Sequence, residues 1–346
     1  MSYQLSVLDK CPVNEGETAT DALQRVAGLA QAAERWGYRR FWLAEHHNTS
    51  GLASPSPEIL IAWVLAQTKH LKVGSGGVML QHYSPYKVAE NFNLLATLAP
   101  GRVDLGVGKA PGGLPLSTKA LQAAQDPDKQ GTFASQLQSL DSFLQLPGHP
   151  SQDEPGLRAT PLPGRTADKY LLGASTDSAA LASSLGWNFV FAAHLNGDRS
   201  LLRTFSDYWQ AETRLPVIIA VQVIVSEDGE EARRQAAQCE LWQVELVNGR
   251  HVTVGSETQA DSFIRQSEVA VKSVSRKETA ILAGNAREVL SQLEALHQEF
   301  SVSEFMLDLP LSQPEIRINT LRLLAQEREH SAARQVSPVT TESSVA

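Results

Sequence analysis

Eight short apolar runs recur along the chain, each followed by a stretch with helical spacing. They are Tyr3–Leu8, Arg40–Ala44, Leu71–Val78, Val103–Gly108, Tyr170–Gly173, Trp187–Ala192, Pro216–Val225 and Glu304–Leu309. Short runs of this kind suit strands buried on both faces. Strands that alternate with helices run parallel, because each helix carries the chain back to the same end of the sheet. Eight such units in 346 residues match a closed (β/α)8 barrel, and a doubly wound open sheet is the alternative use of the same units. The connecting stretches carry helix punctuation. The segment from Ala19 stops at Gly37, a residue suited to the turn after a helix C-terminus. Pro57 and Pro85 stand near the starts of the next two, where a missing N–H leaves no bond unmade. The reading is an α/β chain forming a (β/α)8 TIM barrel with insertions at its C-terminal face, one domain over residues 1–330.

Two stretches break the rhythm. Lys109 to Asp168 is too long for one connection. It holds Pro111-Gly112-Gly113, a helix expected around Gln130–Gln145, and the turn-rich PGHPSQDEPG. Asn248 to Ser275 is polar and weakly periodic. Long loops of this kind cover the active face of a barrel. From Ser331 to Ala346 the residues are small and polar, which predicts a disordered tail.

A net charge of -8 argues against nucleic-acid capture. No apolar run approaches the roughly 20 residues of a membrane helix, and the start lacks a signal-type core. Cys11 and Cys239 are the two cysteines, too few for a disulfide framework or a thiolate metal site. These features predict a cytoplasmic, enzyme-sized protein with reduced thiols and no nucleic-acid or membrane partner.

A barrel places its chemistry at the C-terminal strand ends. The polar residues there are Asp9 and Lys10, then Glu45, His46 and His47, then Gln81 and His82, then Lys109, Ser175 and His194. The WLAEHHN stretch does not suit a metal. Two adjacent histidines point apart along a strand, whereas a barrel metal site uses His-x-His. No His-Glu-x-x-His or Cys-x-x-Cys pattern occurs, so no metal is expected. An imidazole that carries a proton fits better, and a loop-fixing hydrogen bond is the plain alternative for His47. Ser175 and Ser178 open a helix after the fifth run, where unpaired N–H groups favour a phosphate. Ordinary N-capping explains the same residues. Lys109 could supply the balancing cation. Neither GVGKAPGG nor VGSGGVM has Walker or dinucleotide-loop spacing. The glycines of VGSGGVML, in an otherwise apolar strand, mark a close approach, for instance of a flat ring.

Taken in order, WLAEHHN, VGSGGVMLQHYSPYKVAENFNLLATLAPGRVDLGVGKAPG and LLGASTDSAALASSLG resemble the bacterial luciferase-like flavin-dependent monooxygenases. The likeness is nearest to a single-chain branch of mostly unassigned substrate. It runs from Tyr3 to about Ala193 and resumes at ILAGNAREVLSQL and EFMLDLP. It implies a (β/α)8 barrel that uses reduced FMN and O₂ to oxygenate a small organic molecule. NAD(P)H would supply the electrons directly or through a flavin reductase. By the same resemblance His46 is catalytic with Glu45 orienting it, and Gly76-Gly77 form a non-prolyl cis peptide beneath the flavin ring. Lys109 replaces an arginine at the phosphate, keeping the charge but losing the planar fork, and Ser175 and Ser178 are further phosphate ligands. Leu8, Leu80 and Phe191 are expected to line a dry mouth. A homodimer is expected through the apolar helices Ile59–Gln67 and Val88–Leu98. The rival readings are a deazaflavin (F420)-dependent oxidoreductase on the same barrel and a non-catalytic flavin-binding protein.

Overall fold

The structure is a computed structural model describing residues 2–146, 156–193, 198–249 and 251–336. Eight strands form the barrel: β1 Gln4–Asp9, β2 Arg40–Leu43, β3 Lys72–Ser75, β4 Val103–Gly108, β5 Asp168–Gly173, β6 Asn188–Ala192, β7 Val217–Val225 and β8 Val302–Asp308. Each pairs in parallel with its neighbour in sequence. β8 returns to β1 through Gln4↔Glu304 to Leu8↔Asp308, so the sheet closes. The eightfold alternation of strand and helix predicted from periodicity is present at the barrel's core, with one break. The Leu71–Val78 run divides at Gly76-Gly77, whose peptide is cis, and resumes as Val78–Met79 against β4.

Side-chain alternation sorts the strands into two faces. Leu5, Val7, Phe41, Leu43, Leu105 and Val107 point outward into the main core beneath the helices. Leu8, Trp42, Tyr170, Val190, Ile218 and Met306 point inward and fill the lumen. Leu80 and Phe191 belong to the outer core, Phe191 stacked on Phe205, so of the three residues expected at the mouth only Leu8 faces the lumen. Strand parity decides this: Phe191 is out of phase with Val190, and Leu80 lies past the strand in a short 3-10 turn.

The lumen's lower layer is polar. Arg40 is 1% exposed and reaches both walls. Its Nε and Nη2 donate to Glu304 at 2.6 and 3.2 Å, and Nη1 donates to Asp104 at 2.8 Å and the Tyr170 hydroxyl at 2.7 Å. Ser6 donates to Glu304 at 2.5 Å and the Trp42 indole to Asp104 at 2.9 Å. Burial raises the Asp104 carboxyl even with Arg40 and Lys72 beside it.

Helix starts follow the local code. Thr18 and Asp21 form a capping box on Ala19–Arg35, and Pro57 and Pro85 are the first residues of Pro57–Leu65 and Pro85–Leu98. The last two helices carry exposed apolar residues, namely Ile59, Trp63, Leu94 and Leu98. The helix expected around Gln130–Gln145 spans Phe133–Phe143; most of PGHPSQDEPG lies outside the described residues.

Two expectations need correction. The stretch from Asn248 to Ser275 is an ordered unit. Leu241–Leu246, His251–Val254 and Val271–Lys277 make an antiparallel sheet, and helix Glu257–Gln266 packs on it through Val244, Leu246, Ala260 and Phe263. Its outer strand is exposed along its length, which erased the apolar signal. At the C-terminus, residues 331–336 extend the helix Pro314–Val336; residues 337–346 lie outside the described residues. Among the described residues no helix is long and apolar enough to cross a membrane, and no group of three His, Cys, Asp or Glu could hold a metal.

The lower layer generates a stability prediction. Arg40→Met leaves Asp104 and Glu304 buried without their counter-ion. Removing one partner of a buried pair costs about 3–5 kcal/mol, so the urea midpoint should fall accordingly. Replacing Arg40, Asp104 and Glu304 together by apolar residues should recover most of the loss. A change below about 1 kcal/mol for Arg40→Met alone would show that the network does not hold the barrel floor.

Candidate active site

The chain leaves β2 at Leu43 and turns over the C-terminal rim. Its backbone polar groups lose their strand partners there and find others. Ser54 donates to the Ala44 carbonyl at 2.6 Å, the His46 N–H donates to the Ser54 carbonyl at 2.9 Å, and the His47 N–H donates to the Gly112 carbonyl at 2.8 Å. The three polar side chains then separate. Glu45, 1% exposed, accepts from the Met79 N–H at 3.0 Å and from the Tyr83 hydroxyl at 2.8 Å, and pairs with His47 Nε2 at 2.7 Å. Glu45 therefore orients His47 and not His46, contrary to the role inferred for it. Residues two apart share a side of an extended chain, and the residue between them takes the other.

His46 sits on the lumen side. Its Nδ1 is buried and has no protein hydrogen-bond partner among the described residues. Burial above all, with the Lys10 cation beside it, lowers its pKa to about 4 against the opposing pull of Asp308. The imidazole is thus neutral at pH 7, with a nitrogen available to a ligand.

Around the rim, the other expected residues fall in separate places. Gly76 and Gly77 are packed against protein. A Cβ on Gly76 would lie 2.5 Å from Leu8 Cδ1, and one on Gly77 2.9 Å from the Gly106 backbone. A Cβ on Gly106 would lie 2.1 Å from the Ser75 carbonyl oxygen. These glycines let β3 and β4 approach each other and let Leu8 and Trp42 fill the lumen, so strand packing by itself requires them. Lys109 is exposed at the end of β4 and has no ion pair or hydrogen bond among the described residues. On the adjacent β5, Ser175 caps helix Thr176–Ser184 by accepting from the Ser178 N–H at 3.3 Å; the two hydroxyls are 3.1 Å apart. Capping is therefore present, at an exposed helix start on the strand next to Lys109. His194 lies outside the described residues.

The segment after Lys109 is a strap over the rim. Gln81 donates to the Ala110 carbonyl at 3.1 Å, His82 Nε2 bonds the Pro111 carbonyl at 2.8 Å, and Gly112 holds His47. On its far side Leu114 joins the apolar cluster of the inserted sheet, and the Leu116 N–H donates to Gln266 at 3.2 Å.

Three residues at the rim escaped sequence reasoning: Tyr83, Gln222 and Asp308. A signal existed for two of them. Gln222 is the one polar residue in VIIAVQVIV, and Asp308 falls in phase with Glu304 and Met306.

The neutral state of His46 is measurable. Its ring proton shifts, followed by NMR, should titrate near pH 4 and not near the ordinary 6.5. Between those values the unfolded chain binds the proton and the folded one does not. This group therefore withdraws stability as pH falls from about 6.5 to about 4. A midpoint at or above 6.5 would contradict its burial.

Comparison with known proteins agrees with this architecture. A chain from Bacillus subtilis (strain 168), N-acetyl-S-alkylcysteine monooxygenase, is 41% identical over 313 residues, covering 89% of this chain and 93% of its own. The crystal structure of apo-MsnO8 superposes with a TM-score of 0.74 at 29% identity, covering 94% of this chain and 98% of its own. The oxygenating constituent of 3,6-diketocamphane monooxygenase from Pseudomonas putida, a type II Baeyer-Villiger monooxygenase in complex with FMN, shares the fold. Its TM-score is 0.66 at 16% identity, covering 94% and 98% of the two chains. The family model for luciferase-like monooxygenase matches residues 5–303, and the chain belongs to that family of oxidoreductases.

Proposed function

We propose that the chain is an FMN-dependent monooxygenase acting on a small sulfur-containing organic acid at the barrel mouth. The observation that carries this reading is His46, a neutral imidazole whose buried Nδ1 has no hydrogen-bond partner among the described residues, above the lumen's apolar layer. The substrate class is supported by the name of the 41% identical relative, N-acetyl-S-alkylcysteine monooxygenase.

Two features of the structure fit the cofactor. Lys109 is a cation without a protein partner among the described residues, and the adjacent strand leads into a helix whose first turn is exposed at Ser175. Cation and helix N-terminus together suit a phosphate. Gly76, partly exposed above Leu8, adds no side chain at that part of the mouth. Reduced FMN would supply two electrons to O₂, with one oxygen passing to the substrate and the other leaving as water. NAD(P)H, directly or through a reductase, would regenerate it. The protein's own part is binding, exclusion of water and proton handling. Leu8, Met306 and Ala220 keep the layer beneath the mouth, above the Arg40 network, apolar. His46 is unprotonated at working pH and can accept a proton at a reacting atom, a role typically contributing about 10²–10⁴-fold. Glu45 and His47 fix the rim and the strap, which holds His46 in place.

The defining experiment uses ¹⁸O₂, FMN, a flavin reductase and NADH with N-acetyl-S-methylcysteine. One labelled oxygen atom should enter the product, and His46→Ala should lower the rate by about 10²–10⁴-fold while binding FMN nearly as well. Lys109→Ala should weaken FMN about tenfold or more and leave riboflavin unchanged, because only FMN carries the phosphate. Tighter binding of deazaflavin than of FMN would favour the F420-dependent reading. Flavin binding with no oxygen transfer to any thioether would favour a flavin-binding protein without turnover.

The same reading includes a homodimer. Ile59, Trp63, Leu94 and Leu98 are exposed on two adjacent helices, where polar residues would face solvent in a monomer. Light scattering at micromolar concentration should return twice the 37.6 kDa chain mass, and Leu98→Asp should return the monomer mass. A monomeric parent would end this proposal.

A further inference from the structure

The mouth of the barrel has two halves of different chemistry. Over β3, β4, β5 and β6 the uppermost lumen-facing positions are Gly76, Gly108, Leu172 and Ala192, all small or apolar. Over β7, β8, β1 and β2 the polar lumen-side residues are Gln222, Asp308, Lys10 and His46. Side-chain contacts, and not strand register, draw these into one polar layer. Asp308 is in register with Gln222 on one side and Leu8 on the other, and Lys10 follows Leu8 by two residues, on the same face. One oxygen of Asp308 accepts from Lys10 Nζ at 2.7 Å and from Gln222 Nε2 at 2.9 Å. Lys10 and Asp308 are the charged neighbours of His46.

The exposure of this layer is graded. The Asp308 side chain is 1% exposed and the Lys10 side chain 30%. The carboxylate lies beneath, committed to two donors, while the ammonium reaches the opening. Of its three N–H groups, Asp308 takes one, and no other side chain of the described residues takes the rest. The neighbouring Asp9 is already neutralised by Arg317 at 2.9 Å, so no second anion competes for Lys10. Below the layer, Leu8, Ala44, Ala220 and Met306 form an apolar wall. An ammonium with spare donors, beside a neutral imidazole and above an apolar wall, suits a molecule with an anionic head and an apolar tail. Lys109 does not serve this purpose, since it stands on β4 in the other half.

We propose that Lys10 is a specificity-determining residue: held by Asp308 and Gln222, its ammonium takes the substrate's carboxylate and sets the sulfur-bearing end beside His46. This rests on the sulfur-containing organic acid read above, and adds which residue selects the acid. Asp308 and Gln222 act as positioning residues. They remove the freedom of a long side chain that would otherwise be ordered only on binding.

The test compares N-acetyl-S-methylcysteine with its carboxamide, by calorimetric titration and by turnover. The parent protein should bind the acid about 10- to 100-fold tighter than the amide. In Lys10→Met the acid should lose that advantage, with the amide bound as before and KM for the acid rising far more than kcat falls. Lys10→Arg, which keeps the charge, should retain most of the preference and serves if Lys10→Met folds poorly. Equal binding of acid and amide by the parent overturns the proposal, and so does a preference that survives in Lys10→Met. If the parent binds neither, the acid head is wrong, while labelled-oxygen transfer to neutral thioethers separately decides whether the monooxygenase reading stands.

Discussion

The Arg40 network at the base of the lumen is the constraint on which the rest of the barrel depends. Closing eight strands leaves an interior too narrow for water to solvate charges and too wide to be left empty. Arg40 spans it, joining Glu304 on one wall to Asp104 and Tyr170 on the other. Asp104 then accepts from the Trp42 indole, which places that ring in the layer above, edge-on to Tyr170. Gly74 and Gly106 are part of the same packing, because a side chain on either would collide with Asp104 or with Ser75. A buried pair of this kind offers little net stability over an apolar plug of equal shape, yet it penalises any register that leaves one charge alone.

A second buried carboxylate organises the rim. Glu45 holds Tyr83, the Met79 N–H and His47, so it ties the exit of β2 to the segment after the cis peptide. His47 in turn binds Gly112 of the strap, and the strap's Leu114 reaches the inserted sheet. One carboxylate thereby connects three loops far apart in sequence. Its commitment to His47 leaves His46 Nδ1 without a protein partner among the described residues, the condition for a ligand to claim that nitrogen. The two adjacent imidazoles face different sides by strand parity alone: His47 is tied to Glu45, and His46 is the one proposed for the chemistry.

The mouth above carries the functional inference. Its two halves differ because neighbouring strands end in different residues. The β3–β6 half offers little side-chain bulk beside an exposed lysine and a helix start, while the β7–β2 half offers Lys10, Asp308, Gln222 and His46. Flavin phosphate and substrate acid would then be read by different cations on opposite sides of one opening. On these proposed roles, cofactor affinity and substrate choice would be set by separate residues.

How much of this was readable from the chain follows from the range of the interactions. Local pattern by itself indicated the eight strands, the helices beginning at Ala19, Pro57 and Pro85, and a parallel sheet, with closed barrel and open sheet both available to it, because periodicity and helix punctuation act over a few residues. Motif resemblance singled out Gly76-Gly77 and the glutamate–histidine pair at the end of β2. Tertiary structure alone decided that Glu45 turns to His47, that Leu80 and Phe191 face the helices, and that Lys10, Gln222 and Asp308 share a layer. It also decided that the weakly periodic insertion folds as a sheet, since its apolar positions find partners only across strands and in Leu114, more than a hundred residues away. Each of these outcomes depends on register between strands distant in sequence, which closure of the barrel imposes and which no local window of residues contains.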